Sequence, residues 1–269
     1  MTEDLRARLA PHHAAAIEAF VARFATDDEV VALLLVGSLA HGFGRPASDV
    51  DVILVATDEA FERRRAERRL AFALWDLATW PGGYVDVKVT SRGMLERIAA
   101  TGSDPARYAF RDARVLATRD AGIGGLLARA SRFPAELRAD RRHRFLCQLL
   151  AWTWYLGEAD AHGNAYLATV ATHKLVLFAC RVVLNENGAL YPYHKWLLRE
   201  TERVARRPEG FGDMVADLLA RPTQAAAQRL RDAVLAFAGV EAGSLDWPNQ
   251  FMLDSEWNWM EHEAPVDDL

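Results

Sequence analysis

The stretch VALLLVGSLAHGFGRPASDVDVILV, residues 31–55, decides the fold. Its first part belongs to an apolar run from Val30 to Val36 that is rich in Val and Leu and predicts a buried strand. A Gly-Ser turn at Gly37–Ser38 follows, and a segment closed by Gly-Arg-Pro leads to a second apolar run that opens with Asp49-Val50-Asp51. The pattern therefore predicts two strands joined through a glycine turn, the second of which carries two acids.

Asp49 and Asp51 are two residues apart in the second apolar run. Alternate residues of a strand point to the same face, so these carboxylates project together. Two anions this close repel each other unless a cation lies between them. Oxygen-only ligands suit Mg²⁺ or Mn²⁺, and the pair therefore predicts a divalent metal site.

A third acid lies on a further predicted strand, Gly83–Thr90. Alternation places Asp86 and Lys88 on one face of this strand and its valines on the other. If the strand lies beside the one that carries Asp49 and Asp51, three carboxylates converge. Such a set is typical of two-metal phosphoryl-transfer sites, with metals about 3.5–4 Å apart.

The order Gly-Ser, short spacer, Asp-x-Asp and later acid resembles the nucleotidyltransferase superfamily related to DNA polymerase beta. The resemblance covers roughly residues 30–118. It implies an α+β fold in which residues 1–120 form a catalytic domain with a mixed sheet flanked by helices. Residues 121–269 are then an all-α helical bundle that binds the acceptor, with an acidic tail that contains Trp247, Trp257 and Trp259.

The resemblance also implies roles for the acids. Asp49 and Asp51 would coordinate the metal that binds a nucleoside triphosphate, with ATP as the expected co-substrate. Asp86 would complete a second metal site, act as general base on the acceptor hydroxyl, or do both.

Small and basic residues are expected to bind the phosphates. Gly37 allows backbone N–H groups to approach a phosphate, and the hydroxyl of Ser38 can hydrogen-bond it. Lys88 either neutralises developing charge or pairs with one of the acids. Lys174 and Lys195 are candidates for the triphosphate, with ordinary surface charge as the alternative. Lys195 lies in Tyr191–Trp196, which resembles a Tyr-Pro-x-x-Lys-Trp stretch of bacterial stand-alone nucleotidyltransferases.

Periodicity and breakers predict the remaining elements. In the first domain we expect a strand at 113–118 and helices at 2–26, 58–80 and 92–100. In the second we expect helices at 122–131, 135–157, 163–186, 192–206, 209–219 and 222–238.

Composition and charge limit the kinds of binding partner that we expect for this protein. The net charge of −5 over 269 residues, without a basic block, argues against binding of long nucleic acid. The two Cys are expected to be small buried hydrophobic residues rather than a disulfide. Without a signal-like N-terminus or an apolar run of about 18 residues, we expect a cytoplasmic protein that does not enter a membrane. The tail tryptophans fit burial in a homodimer interface or against their own chain.

The function expected from this resemblance is transfer of AMP from ATP to a hydroxyl of a small molecule, as in aminoglycoside and lincosamide modification. An acidic cleft would suit a polycationic antibiotic. One alternative is modification of a protein or tRNA, as in toxin-like relatives. Another is a non-catalytic nucleotide-binding regulator, which retention of all three acids argues against.

Overall fold

The computed structural model describes residues 2–261 and divides the chain into two units, Met1–Arg132 and Phe133–Leu269. The predicted boundary after residue 120 lies before this division. A helix at Ile123–Ala130 consequently belongs to the first unit, where it packs on the sheet.

The first unit is built on a mixed five-stranded sheet in the order β3-β4-β2-β1-β5. Strands β2 and β4 are parallel, and the other neighbouring pairs are antiparallel. The strands are β1 (Val30–Leu35), β2 (Val50–Ala56), β3 (Ala71–Leu74), β4 (Val85–Ser91) and β5 (Arg114–Thr118).

Helices cover both faces of this sheet. The helices of the first unit are α1 (Glu3–Ala7), α2 (Pro11–Phe24), α3 (Gly37–Ala40), α4 (Asp58–Ala66), α5 (Arg92–Thr101), α6 (Asp104–Tyr108) and α7 (Ile123–Ala130). One face packs Val52, Leu54 and Val87 against Ile17 and Phe20 of α2. The opposite face packs Ile53 and Val55 against residues of α5 and α7. Because period-two alternation sends Asp51 to this second face, the acid lies beside its apolar core.

Two predicted helices of the first unit were wrong in part. The helix expected at 58–80 ends at Ala66, and 71–74 form the edge strand β3. Here Phe72 and Leu74 are half-buried while Ala71 and Ala73 are exposed, the alternation of a strand. The helix expected at 2–26 is interrupted before Pro11, which begins α2 because its fixed φ and missing N–H suit the first turn.

The second unit is helical throughout its described part, as predicted. Its helices are α8 (Arg138–His162), α9 (Ala165–Glu186), α10 (Leu197–Arg203), α11 (Phe211–Ala220), α12 (Gln224–Ala238), α13 (Trp247–Asp254) and α14 (Asn258–Glu261). The long pair α8 and α9 forms the centre of one apolar core that also includes Leu197, Phe211 and Leu230. The expected fold class, a mixed sheet followed by a helical bundle, is thereby confirmed.

Helix α9 is more apolar than expected from the sequence, which predicted no segment long and apolar enough to cross a membrane. By length and composition alone it could cross a membrane, and half of its most apolar window is buried within the protein. Leu175, Ala179 and Val183 along this helix belong to the core of the second unit. The apolar residues of α9 therefore pack within the second unit.

The described part of the tail, residues 246–261, packs only in part. Trp247 is partly buried against the helical core, whereas Trp257 and Trp259 are about half-exposed. Asp254 forms an ion pair with Arg144 of α8 at 2.7 Å. The acids Glu263, Asp267 and Asp268 lie outside the described residues.

Candidate active site

Asp51 and Asp86 face each other across the two parallel strands at the centre of the sheet. They are direct register partners of β2 and β4. Partners in adjacent strands project to the same face, so both carboxylates lie at the same end of one sheet surface. Both side chains are only half-buried.

Asp49 joins this pair through a tyrosine. The hydroxyl of Tyr84 hydrogen-bonds Asp49, and this bond raises the pKa of Tyr84, with smaller contributions from the charges of Asp86 and Asp51. A phenol near several carboxylates loses its proton less readily because the phenolate would add a further negative charge. The charges of the three predicted acids therefore all act on the Tyr84 hydroxyl.

Position 37 requires glycine for two reasons. Its φ of +66° lies in the left-handed region, which glycine adopts without a Cβ penalty. A Cβ built at this position would also overlap the carboxylate of Asp51. The turn after β1 can lie against the acid of β2 only because residue 37 has no side chain.

Ser38 lies in the single-turn helix α3 that begins at Gly37. The first N–H groups of a helix have no partner within it, so this turn presents backbone donors. Ser38 is buried, and its hydroxyl makes no hydrogen bond to another residue of the described chain. Hydroxyl and backbone N–H groups at a glycine turn can bind a phosphate group, so the predicted role of Gly37 and Ser38 stays a prediction.

The loop that leads into Asp49 is anchored from α2. His12 Nε2 donates to the Pro46 carbonyl and His13 Nε2 to the Ser48 carbonyl, each at 2.9 Å. His13 is buried, and burial lowers its pKa, which favours the neutral ring. Neutral His13 thus fixes the backbone next to Asp49 without adding a charge.

A second anchor lies behind the Gly-Ser turn. His41 ends α3 and donates its backbone N–H to the Gly37 carbonyl at 3.0 Å. Its buried ring lies 3.1 Å from a carboxylate oxygen of Asp112, and this hydrogen bond lowers the pKa of that carboxyl. Tyr108 packs beside the same ring, at 4.9 Å between centroids. The turn is thereby tied to the segment before β5.

Lys88 lies where the predicted pairing alternative placed it. Its Nζ is 3.5 Å from a carboxylate oxygen of Asp86, and its side chain is 62% exposed. An exposed pair of this kind is held weakly. The ammonium can therefore leave Asp86 when a phosphate approaches.

The two other candidate lysines are exposed residues of the second unit. Lys174 lies on α9 with its Nζ 5.8 Å from the Trp152 ring, and Lys195 lies in a short 3-10 turn with its Nζ 5.3 Å from the Trp196 ring. Tyr193, two residues before Lys195, has a φ of +66°. Their role in binding triphosphate stays a prediction.

The acids provide donors that suit a hard divalent cation. Within residues 2–261, no group of three or more His, Cys, Asp or Glu side chains is arranged to hold a metal ion by itself. Mg²⁺ is usually bound by one or two carboxylates together with substrate phosphates and water rather than by a complete protein cage. Asp51 and Asp86 beside the Gly37–Ser38 turn fit that mode.

Tyr84 is the site residue that the sequence analysis missed. It lies two positions before Asp86 and shares the face of that acid. The same alternation that paired Asp86 with Lys88 could have identified it. Its ring also packs against Trp75, with 4.7 Å between ring centroids.

The sheet with its glycine turn and clustered carboxylates was compared with known proteins. Residues 17–101 match the family model of the nucleotidyltransferase domain. Comparison with curated proteins found no significant match. Among solved structures, the chain is similar to a nucleotidyltransferase-like protein from Exiguobacterium sibiricum, at 14% identity and a TM-score of 0.46, over 96% of this chain and 83% of that chain.

The match gives residues 17–101, about a third of the chain, the character of a nucleotidyltransferase domain. The matched range contains the Gly37–Ser38 turn and the acids Asp49, Asp51 and Asp86. The predictions of this superfamily and of nucleotidyl transfer as the enzyme class are confirmed.

Proposed function

We propose that this chain transfers AMP from ATP to a hydroxyl of a small molecule and releases pyrophosphate, with Mg²⁺ or Mn²⁺ as cofactor. One observation carries the proposal. Asp51 and Asp86 are paired in register at one end of the sheet, and Gly37 lies against Asp51. A triphosphate held at the turn would place its α-phosphate beside the acids.

The turn supplies the first part of the chemistry. Backbone N–H groups after Gly37 and the hydroxyl of Ser38 bind the β- and γ-phosphates. Asp49, Asp51 and Asp86 would hold divalent metal, which when bound neutralises phosphate charge and orients the triphosphate. Lys174 and Lys195 stay the further triphosphate candidates that the sequence resemblance implies.

The acids supply the second part. The acceptor oxygen forms a bond to the α-phosphorus while the bond from that phosphorus to the bridging oxygen breaks. The electron pair of the broken bond leaves with pyrophosphate. Asp86 accepts the proton of the acceptor hydroxyl as general base. Lys88, 3.5 Å from Asp86, balances the negative charge that develops on the phosphate.

Charge supports a small acceptor rather than a long nucleic acid. Three of the five arginines in the cluster at 63–69 are paired with acids: Arg63 with Glu29, Arg65 with Glu62 and Arg69 with Glu67. Arg142 and Arg144 of the second cluster pair with Glu186 and Asp254. Because these arginines form ion pairs within the chain and the net charge is −5, the protein attracts polyanions only weakly.

Pyrophosphate release tests the proposal. Each of the four NTPs is offered with Mg²⁺ or Mn²⁺, alone and with aminoglycosides, lincosamides or bulk tRNA. The double variant Asp49→Ala/Asp51→Ala provides the blank. We expect release with ATP that depends on a small-molecule acceptor and is absent from the blank.

Other outcomes separate the alternatives. Release that requires tRNA would replace the small-molecule acceptor by a macromolecule. Metal-dependent binding of NTP without release under any condition would favour a nucleotide-binding regulator.

A further inference from the structure

Trp75 is an exposed aromatic residue at the edge of the carboxylate cluster. Its exposed fraction, 63%, is the largest of the eight tryptophans. It follows Leu74, the last residue of β3, and Leu74 is the register partner of Val85 at the start of β4. The indole therefore lies at the same end of the sheet as Asp86.

The indole is held in place by the site itself. Its ring packs on Tyr84 at 4.7 Å between centroids, with 35° between the ring planes. The Tyr84 hydroxyl in turn hydrogen-bonds Asp49. The stacked rings of Trp75 and Tyr84 thus lie next to the acids, and much of the Trp75 indole remains exposed to solvent.

The sheet order places Trp75 opposite the phosphate-binding turn. From Gly37 after β1, the sheet passes through Asp51 on β2 and Asp86 on β4 before it reaches the end of β3. Neighbouring strands are about 4.8 Å apart, so about 14 Å separates the turn from Trp75, with the acids between them.

Geometry of the reaction decides which substrate reaches the indole. Attacking and leaving oxygens lie roughly in line on opposite sides of the transferred phosphorus. If pyrophosphate leaves at the Gly37 side, the acceptor hydroxyl approaches from the side of Asp86. The body of the acceptor then lies over Tyr84 and Trp75.

We propose that Trp75, supported by Tyr84, is the acceptor subsite and stacks on a ring of the acceptor that carries or adjoins the reactive hydroxyl. The inference rests on the proposed function. The aromatic face of Trp75 attracts a ring with cationic substituents. This assigns part of acceptor recognition to the first unit, whereas the resemblance implies that the helical half binds the acceptor.

Binding measurements on wild type, Trp75→Ala and Trp75→Phe test the subsite. Each protein is titrated with a non-hydrolysable ATP analogue and Mg²⁺. With the analogue bound, it is then titrated with kanamycin and lincomycin as ring-bearing probes and with spermidine as an open-chain cation. Trp75→Phe keeps a stacking ring, and melting temperatures verify that all three proteins are folded.

We expect Trp75→Ala to weaken ring-probe binding by about tenfold or more, the range typical of lost stacking. Trp75→Phe should restore most of the affinity, and nucleotide affinity should stay within about twofold. Equal probe affinity in wild type and Trp75→Ala would overturn the subsite. So would a comparable loss of nucleotide affinity, which would assign the indole to the nucleobase, or failure of every ring probe to bind wild type that holds the analogue. Failure of wild type to bind the analogue would instead refute the proposed function.

Discussion

Asp51 and Asp86 are register partners on neighbouring parallel strands, so their carboxylates meet at one end of the sheet. Antiparallel strands flank this central pair, and β1 delivers the Gly37 turn to the same end. The fold thus brings together residues that are 35 positions apart, from Asp51 to Asp86, in the sequence.

Gly37→Ala should abolish activity and destabilise the protein. The added methyl group would overlap the Asp51 carboxylate and would also hold alanine at a φ of +66°. We expect a loss of about 2–4 kcal/mol in the free energy of unfolding, measured by urea denaturation.

Gly42→Ala is the matched control for this change. Gly42 also has a positive φ, +74°, but its Cβ would meet no atom within 4 Å. It should cost only the backbone penalty of about 1–2 kcal/mol. Equal effects of the two substitutions on activity would show that contact with Asp51 is irrelevant.

Tyr84→Phe should reduce turnover while it leaves the fold unchanged. The ring that supports Trp75 remains, but Asp49 loses the hydrogen bond from the hydroxyl. A hydrogen bond to a charged group is worth about 1.5–3 kcal/mol, so kcat/KM should fall about tenfold or more. Steady-state kinetics on this variant and on Tyr166→Phe, whose side chain is 81% exposed, would decide the matter. A loss shared by both variants would rule out a specific role for the Tyr84 hydroxyl.

Asp112→Asn should produce a pH-dependent loss of stability. The hydrogen bond with His41 holds the pKa of Asp112 below its ordinary value, so the folded state favours the ionised carboxyl. This contribution is complete above the unfolded pKa of about 3.9 and is lost as pH falls through the lower folded pKa. With the carboxylate partly exposed, its magnitude is about 1 kcal/mol or less.

Urea denaturation at pH 6 and at pH 3 measures this difference. Asn tolerates the left-handed backbone that Asp112 adopts at a φ of +64°, so the substitution changes mainly the charge. We expect wild type to exceed the variant in stability at pH 6 and the gap to shrink at pH 3. A gap that is independent of pH would contradict the role of the ionised carboxyl.

Both cysteines should resist thiol reagents in the folded protein. Burial raises the pKa of Cys147 to about 11 and that of Cys180 to about 12. Since the thiolate is the reactive form, labelling at pH 8 should be very slow and should become rapid in denaturant. Rapid labelling of the native protein would show that the helical core opens readily. The expectation of buried, unpaired cysteines is confirmed.

Much of the site followed from local pattern. The apolar runs around Asp49 and Asp51 and the alternation around Asp86 identified β1, β2 and β4. This is possible because the period of two in a strand is visible in residues that are close together in the sequence. The edge strand β3 was predicted as part of the helix at 58–80. Its four residues form too short an alternating pattern to be recognised after a helical sequence.

Long-range contacts could not be predicted in this way. His13 contacts Ser48 from 35 residues away, and His41 contacts Asp112 from 71 residues away. No periodicity records such pairs, because they depend on how complete elements pack. Tyr84 and Trp75 lie closer together in sequence, but their contact requires the β3–β4 pairing that was not predicted.

The central claim is that Asp51 and Asp86 hold the metal that accompanies the nucleotide. Mn²⁺ binding, followed by electron paramagnetic resonance with a non-hydrolysable ATP analogue, tests it most directly on wild type, Asp51→Asn and Asp86→Asn. We expect Mn²⁺ to bind wild type with the analogue present and to be lost or strongly weakened in both variants, each of which should remain folded because the clustered negative charge is relieved. Undiminished Mn²⁺ binding in Asp51→Asn would contradict the account.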